Sequence, residues 1–328
     1  MNEGKIGTGS NATVPHRFRL TSLDGGAAID TYALSISNNG YVAGARGPVL
    51  WSPFRYRKGR FEIFSSIGGD GSIAAGINDH GTIVGRVHYG SSIYGFIYDH
   101  DDSLDILTNL SWAHAINSSG AVVGSMAREG GSAPFDDTYG YVWVNGIVTP
   151  LDPGFATGLV SITSANDIND DGWITGEAYN ADLQRRAFLS DGTTVRDLGA
   201  LGGYLSVGRG ISSKGHVTGE WIGPDSPIHA FLYDGRVMRD LGTLGGRESW
   251  GYAVNARGHV VGQSLMKEGA AHAFFFDGER MLDLNALVDA SAEGWVLYGA
   301  TDINDRGQIV GTGSFNGRTR AFLLTPSP

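Results

Sequence analysis

The side chains best suited to chemistry here are two carboxylates, an imidazole, a phenol and two guanidiniums, all at equivalent places of a repeated motif. Glu177 and Glu220 each follow a closing glycine, in the runs WITG-Glu and HVTG-Glu. The same place elsewhere holds Ala45, Arg86, Ser125, Gln263 and Thr312. His114, Arg209 and Tyr252 share a second place, two residues before the Ile or Val that ends the unit's first strand, with Leu34, Ala75, Asn166 and Thr301. Tyr32, Trp112 and Trp250 stand four residues before that Ile or Val. Two carboxylates with a cation beside them can exchange protons with a substrate, and His and Tyr extend that repertoire. Catalytic roles are therefore expected of Glu177, Glu220, His114 and Tyr252. Ligand contacts are expected of Tyr32, Arg86, Trp112, Asn166, Arg209 and Trp250. The competing reading is structural: satisfied carboxylates in a strand, a hydrogen-bonded histidine and blade-packing tryptophans.

Variation between copies is what singles these places out. Three residues before the same Ile or Val the chain has only Ala or Gly, at Ala33, Ala74, Ala113, Ala165, Gly208, Gly251 and Ala300. Uniform smallness is the mark of crowded strands. Places that differ from copy to copy, and carry polar or aromatic groups, are released from that duty. Strand alternation puts the two variable sets on one face. The residue after the closing glycine is expected beside the small residue of the first strand.

Metal chemistry has one weak foothold. Asp167, Asn169 and Asp171 fit the D-x-N-x-D-G start of a calcium loop, but Ala178 sits at the loop's twelfth place, so a plain hairpin turn is expected. No zinc-protease, phosphate-loop or dinucleotide signature occurs, and cysteine is absent. The expected chemistry needs no cofactor.

These groups are carried by a repeat. Seven segments share one pattern, from SISNNGYVAG at 35–44 to DINDRGQIVG at 302–311. Their closing glycines, Gly44, Gly85, Gly124, Gly176, Gly219, Gly262 and Gly311, recur about every 43 residues, the length of four short strands with turns. Each unit reads as strand, Asn-x-x-Gly turn, strand, an aromatic third strand such as Ala230-Phe231-Leu232, and a fourth read from Asp240-Leu241-Gly242. The last unit stops after its third strand, and His16 to Gly26 resembles the missing fourth. The prediction is an all-β, seven-bladed β-propeller of four-stranded blades, closed by the N-terminal strand completing the C-terminal blade. Residues 1–15 are expected as a flexible N-terminal segment ahead of a single domain over 16–328. Insertions at 125–162 and 284–299 are expected as loops on a binding face, the second beginning with a short helix.

Composition supports a globular β protein. Of 328 residues 51 are glycine, which suits tight turns and disfavours helices. A net charge of −10 argues against nucleic acid or an anionic membrane as partner. No stretch approaches the length of a membrane span or a signal peptide. A cytoplasmic monomer follows, or an exported one if a leader has been removed.

With His229-Ala230-Phe231, His272-Ala273-Phe274, DLGTLGG at 240–246 and the run from Thr301 to Pro326, the chain resembles the HAF-repeat family of bacterial proteins along nearly its whole length. That resemblance implies the repeat scaffold and says little about activity. Three functional readings follow from the residues themselves. One is a small-molecule enzyme of the lyase, isomerase or cyclase type, suited to secondary metabolism, with its ligand in the central channel. The second is a binding module for a glycan or protein partner. The third is a structural scaffold whose loops dock a partner.

Overall fold

A computed structural model describes residues 17–25, 29–47, 51–99, 101, 103–127, 138–152, 154, 158–224 and 227–327. The expected flexible segment 1–15 lies outside the described residues. Seven antiparallel four-stranded sheets form the blades. They span residues 31–63, 72–107, 112–150, 159–197, 205–240 and 245–283 as blades 1 to 6. Blade 7 joins the strands of 295–326 to Phe18–Ser22. The first strand of each blade touches the first strand of both neighbours, Thr31–Ile36 meeting Trp295–Ile303, so the ring is shut. No helix among the described residues is long and apolar enough to cross a membrane, which leaves β-barrel crossing unaddressed.

Packing inside each blade explains the closing glycine. A Cβ on Gly219 would fall 1.8 Å from the carbonyl oxygen of Val207, and one on Gly124 1.8 Å from that of Trp112. The third-strand aromatic presses on the same spot, as Phe231 does on Gly219. Backbone cannot yield as a side-chain tip can. Gly219→Ala is therefore expected to cost about 3 kcal/mol or more. Gly299→Ala, where no atom lies within 4 Å, should leave stability almost unchanged. Equal urea midpoints for the two variants would refute this account.

Neighbouring blades are stapled by the asparagine of the turn. Asn78 Nδ2 donates to the Asn117 carbonyl at 3.2 Å, Asn117 to Asn169 at 3.1 Å and Asn169 to Ser212 at 2.9 Å. Asn255 and Asn304 continue the series to Asn304 and Ser37. Each such Oδ1 also closes its own turn, as when Thr82 N donates to Asn78 at 3.0 Å. The His-Ala-Phe tripeptide is likewise a scaffold device. His229 and His272 bond the fourth-strand Asp240 and Asp283 at 3.0 and 2.8 Å. Ala230 N donates to Ser249 of the next blade, and Phe231 is fully buried. The fourth strands are short, ending at Asp197 and Asp240, and the Leu-Gly run beyond is crossover.

Closure uses the N-terminal strand, paired from Phe18 with Pro326 to Ser22 with Phe322. Its other edge is covered by the second insertion. Phe18 N donates to the Leu287 carbonyl at 2.7 Å, Asp289 N to the Phe18 carbonyl at 2.9 Å and Leu20 N to Ser291 Oγ at 2.7 Å. The expected short helix is two single 3-10 turns, Leu284–Ala286 and Ala290–Ala292, capped by Asp283 and Asp289. This insertion therefore protects an edge strand. Of the first insertion, residues 128–137, 153 and 155–157 lie outside the described residues.

Candidate functional site

Every first strand slips by one residue against its partner. Ala113 faces Gly124 while Ala115 faces Val123, which leaves His114 as the extra residue. The same bulge releases Leu34, Ala75, Asn166, Arg209, Tyr252 and Thr301 in the other blades. A bulged residue is freed from the ladder and its side chain re-aimed. Leu34, Ala75, His114, Asn166 and Arg209 all line the central cavity. The residue after the closing glycine stands elsewhere than expected. Arg86 pairs with Ile73, Glu177 with Ser164 and Glu220 with Val207, while the small residue faces the glycine itself. One residue of strand register accounts for the correction.

The cavity has two lobes that share Trp112 and His114. The smaller, of about 470 Å³, is walled by Tyr32, Leu34, Trp51, Ile73 and Arg86. The larger, of about 1050 Å³, is walled by Ser125, Ser164, Asn166, Glu177, Tyr179 and Arg209 among others. Such volumes and such a mixture of aromatic and polar walls suit a small organic molecule. The opposite mouth of the channel holds only about 150 Å³ among the turn residues.

His114 sits where the lobes meet. Its Nδ1 lies 3.0 Å from the Ala165 carbonyl, which can only accept, so Nδ1 carries the proton. Nε2 keeps its lone pair and has no partner among the described residues. By surface area the ring is half-buried because one edge meets the cavity, yet by depth it is enclosed within the ring of blades. Depth governs its hydration. Burial pushes the imidazole down to about 4 against the help of the Ala165 bond, and the charges of Arg86 and Arg209 push the same way. At neutral pH it is an uncharged acceptor.

The other expected catalytic groups divide. Glu220 is clasped by Arg209, whose Nε lies 2.9 and 3.1 Å from the two carboxylate oxygens, with Nη2 also on Oε1. It fixes the arginine and has little capacity left for proton transfer. Glu177 lines the larger lobe and is held more loosely, by Thr163 at 3.4 Å and Arg185 at 3.3 Å. Tyr252 lies beside the Arg209–Glu220 pair, and burial pushes its phenol up, so it serves as a donor. Its hydroxyl reaches Gln263 at 3.4 Å. Asn166 bridges Ser164 Oγ and the Gly208 carbonyl, each at 2.7 Å. Trp250, Tyr252 and Glu220 line neither lobe. Trp51 was not anticipated. It stands just before a third strand, and its ring meets Tyr32 edge to face at 5.0 Å. No repeat position flags it.

Asp167, Asn169 and Asp171 do not form a calcium loop. Asp167 accepts from Ile168 N and Ile211 N at 2.9 and 2.8 Å, and Asn169 staples blade 4 to blade 5. Among the described residues no three acidic or imidazole groups gather tightly enough to hold a metal. Asp302 repeats the arrangement of Asp167, accepting from Ile303 N, Ile36 N and Ser35 Oγ. The narrow channel touches both carboxylates, so by area they are half-buried, but protein surrounds them in depth. Burial pushes Asp167 up to about 7, with repulsion from Asp302 adding, and Asp302 up to about 6. Both folded values exceed the ordinary 3.8, so the native state holds protons that the unfolded chain has released. Stability from these groups is complete below about pH 4 and falls as pH rises toward 7. Asp167→Asn should therefore gain melting temperature relative to the parent by a few degrees between pH 5 and pH 8. A pH-independent difference would contradict the assignment.

The described residues form a seven-bladed β-propeller whose channel carries two unequal lobes. No family model and no curated protein sequence matches the chain. Among solved structures it is similar to the acylaminoacyl peptidase of Pyrococcus horikoshii, at 14% identity and a TM-score of 0.54 over 88% of this chain and 52% of that one. A second acylaminoacyl peptidase, in complex with Z-Gly-Gly-Phe-chloromethyl ketone, matches at 11% identity and a TM-score of 0.52, covering 90% and 51%. The β-propeller domain of the Trilobed protease from Pyrococcus furiosus matches at 12% identity and a TM-score of 0.42, covering 78% and 98%. The chain spans about half the length of the two peptidases. At these identities the likeness is one of fold.

Proposed function

We propose that the chain is a cofactor-independent enzyme that performs acid–base chemistry of the lyase, isomerase or cyclase kind on a small organic molecule in the funnel. The observation that carries this is His114, an enclosed neutral imidazole whose Nδ1 is committed to Ala165 and whose Nε2 lone pair is uncommitted where the two lobes join. Nε2 accepts the substrate proton. Arg209, held rigid by Glu220, stabilises the negative charge that develops. Glu177, on the wall of the same lobe, is placed to relay a proton. We also infer membership of the HAF-repeat family, supported by the scaffold duties of His229-Ala230-Phe231 and His272-Ala273-Phe274.

The test is proton exchange. Dialysed protein is incubated in D2O with a panel of small carbonyl and carboxylic acids, without added metal or nucleotide, and deuterium at carbon is read by mass spectrometry. The parent should label at least one member, and His114→Gln should not. A funnel that binds members of the panel and labels none is a binding module, and the enzyme reading falls.

A further inference from the structure

Arg86 is a cation without a counter-charge among the described residues. Its guanidinium makes no hydrogen bond or ion pair with any described residue, and its Nε is buried without a partner. The other arginines of the cavity wall are matched, Arg209 by Glu220 and Arg185 by Glu177. Arg86 instead lies over the ring of Trp112 at 5.1 Å. Burial alone pushes its pKa down, and no carboxylate opposes that. Withdrawing an unpaired charge from water is costly. The blade does not demand it, since the equivalent place tolerates Ala45, Ser125 and Thr312. Such a group suits a ligand that supplies the missing anion.

The surroundings narrow that ligand. Tyr32, Trp51, Ile73 and Trp112 make the rest of the smaller lobe mostly apolar and aromatic. Among the described residues Arg86 is its only charged wall residue. One guanidinium matches one carboxylate in charge and in two-pronged geometry, whereas a phosphate dianion would leave a charge unmet. We propose that the smaller lobe is the recognition site for the carboxylate of a flat, apolar-bodied acid. Arg86 takes the carboxylate, and Tyr32, Trp51 and Trp112 flank the body. Placing the reacting part beside His114, in the larger lobe, rests on the enzyme reading above; the binding claim does not.

A consequence follows for His114, whose charged surroundings are Arg86 from blade 2, Arg209 from blade 5 and Glu177 on the wall of the larger lobe. A carboxylate on Arg86 cancels one of the two positive charges acting on the imidazole. Its proton affinity should then rise when the ligand is seated, so substrate would strengthen the base that acts on it.

Calorimetric titration with 2-naphthoate, 2-naphthamide and 2-naphthyl phosphate tests the site. Naphthoate should bind the parent about 10- to 100-fold more tightly than the amide, the range for a charge-assisted bond lost. Arg86→Met, which keeps much of the bulk and removes the charge, should abolish that preference. Arg86→Lys should restore part of it, and melting curves confirm that both variants fold. Bound naphthoate should raise the His114 titration point by NMR in the parent and not in Arg86→Met. Equal binding of acid and amide, preference for the phosphate, no binding of naphthoate at millimolar concentration, or an Arg86→Met variant that keeps the preference would each overturn the proposal. His114→Gln separates the two readings. Naphthoate binding that survives there with proton exchange lost supports both. A parent that prefers naphthoate and exchanges no proton sinks only the enzyme reading.

Discussion

A His114→Gln variant is expected to keep its fold and lose about 10²- to 10⁴-fold in turnover, the usual contribution of a positioned general base. Glutamine can still donate an amide hydrogen to the Ala165 carbonyl, so the structural half of the histidine's role is preserved. What it lacks is a basic nitrogen facing the cavity. The pH profile carries the second half of the prediction. A base acts only when unprotonated, so activity falls on the acid side as pH drops through its pKa. With the imidazole pushed down to about 4, kcat/KM should hold to about pH 5 and fall near pH 4. An ordinary histidine would already have lost half of it near pH 6.5. A parent profile with an acid limb near 6.5, or a variant as active as the parent, would remove His114 from the mechanism. Glu220→Gln is a different case, because it frees Arg209 as well, so a loss there would not identify a proton carrier.

Among single substitutions, the largest expected loss of stability comes from Phe18→Ala. Phe18 is 1% exposed, packs edge to face on Phe275 at 5.8 Å and belongs to the core shared by blades 6 and 7. Truncating a buried phenylalanine costs about 3–5 kcal/mol, which in a chain of this size lowers the melting temperature by on the order of 10 °C. Removing residues 1–22 should do more. It strips the partner from Arg318–Pro326 and uncovers the insertion that now bonds Phe18 and Leu20, opening two edges at once. Calorimetry and size-exclusion chromatography would read both effects, the second as aggregation. A truncated chain that melts with the parent would show that the ring does not depend on its closing strand.

The sequence by itself determined the architecture. Seven copies of a turn whose asparagine and glycine have fixed backbone duties, and a terminal unit lacking one strand, are enough to state blade number and closure. The reason is that period, turn chemistry and strand alternation are short-range properties of the chain. Tertiary structure alone decided how the candidate residues are arranged. A one-residue slip in each first strand changes which side chains face the channel, and alternation cannot count it. That slip placed Arg86 opposite Ile73 and over Trp112 of the next blade. Strand pairing in blade 5 then spends Arg209 on Glu220, while Arg86 is left unmatched among the described residues. Trp51 meets Tyr32 within blade 1, and the pair joins Trp112 of blade 3 only because the blades converge. Contacts between side chains distant in sequence depend on geometry accumulated over the whole ring, and no single repeat contains it.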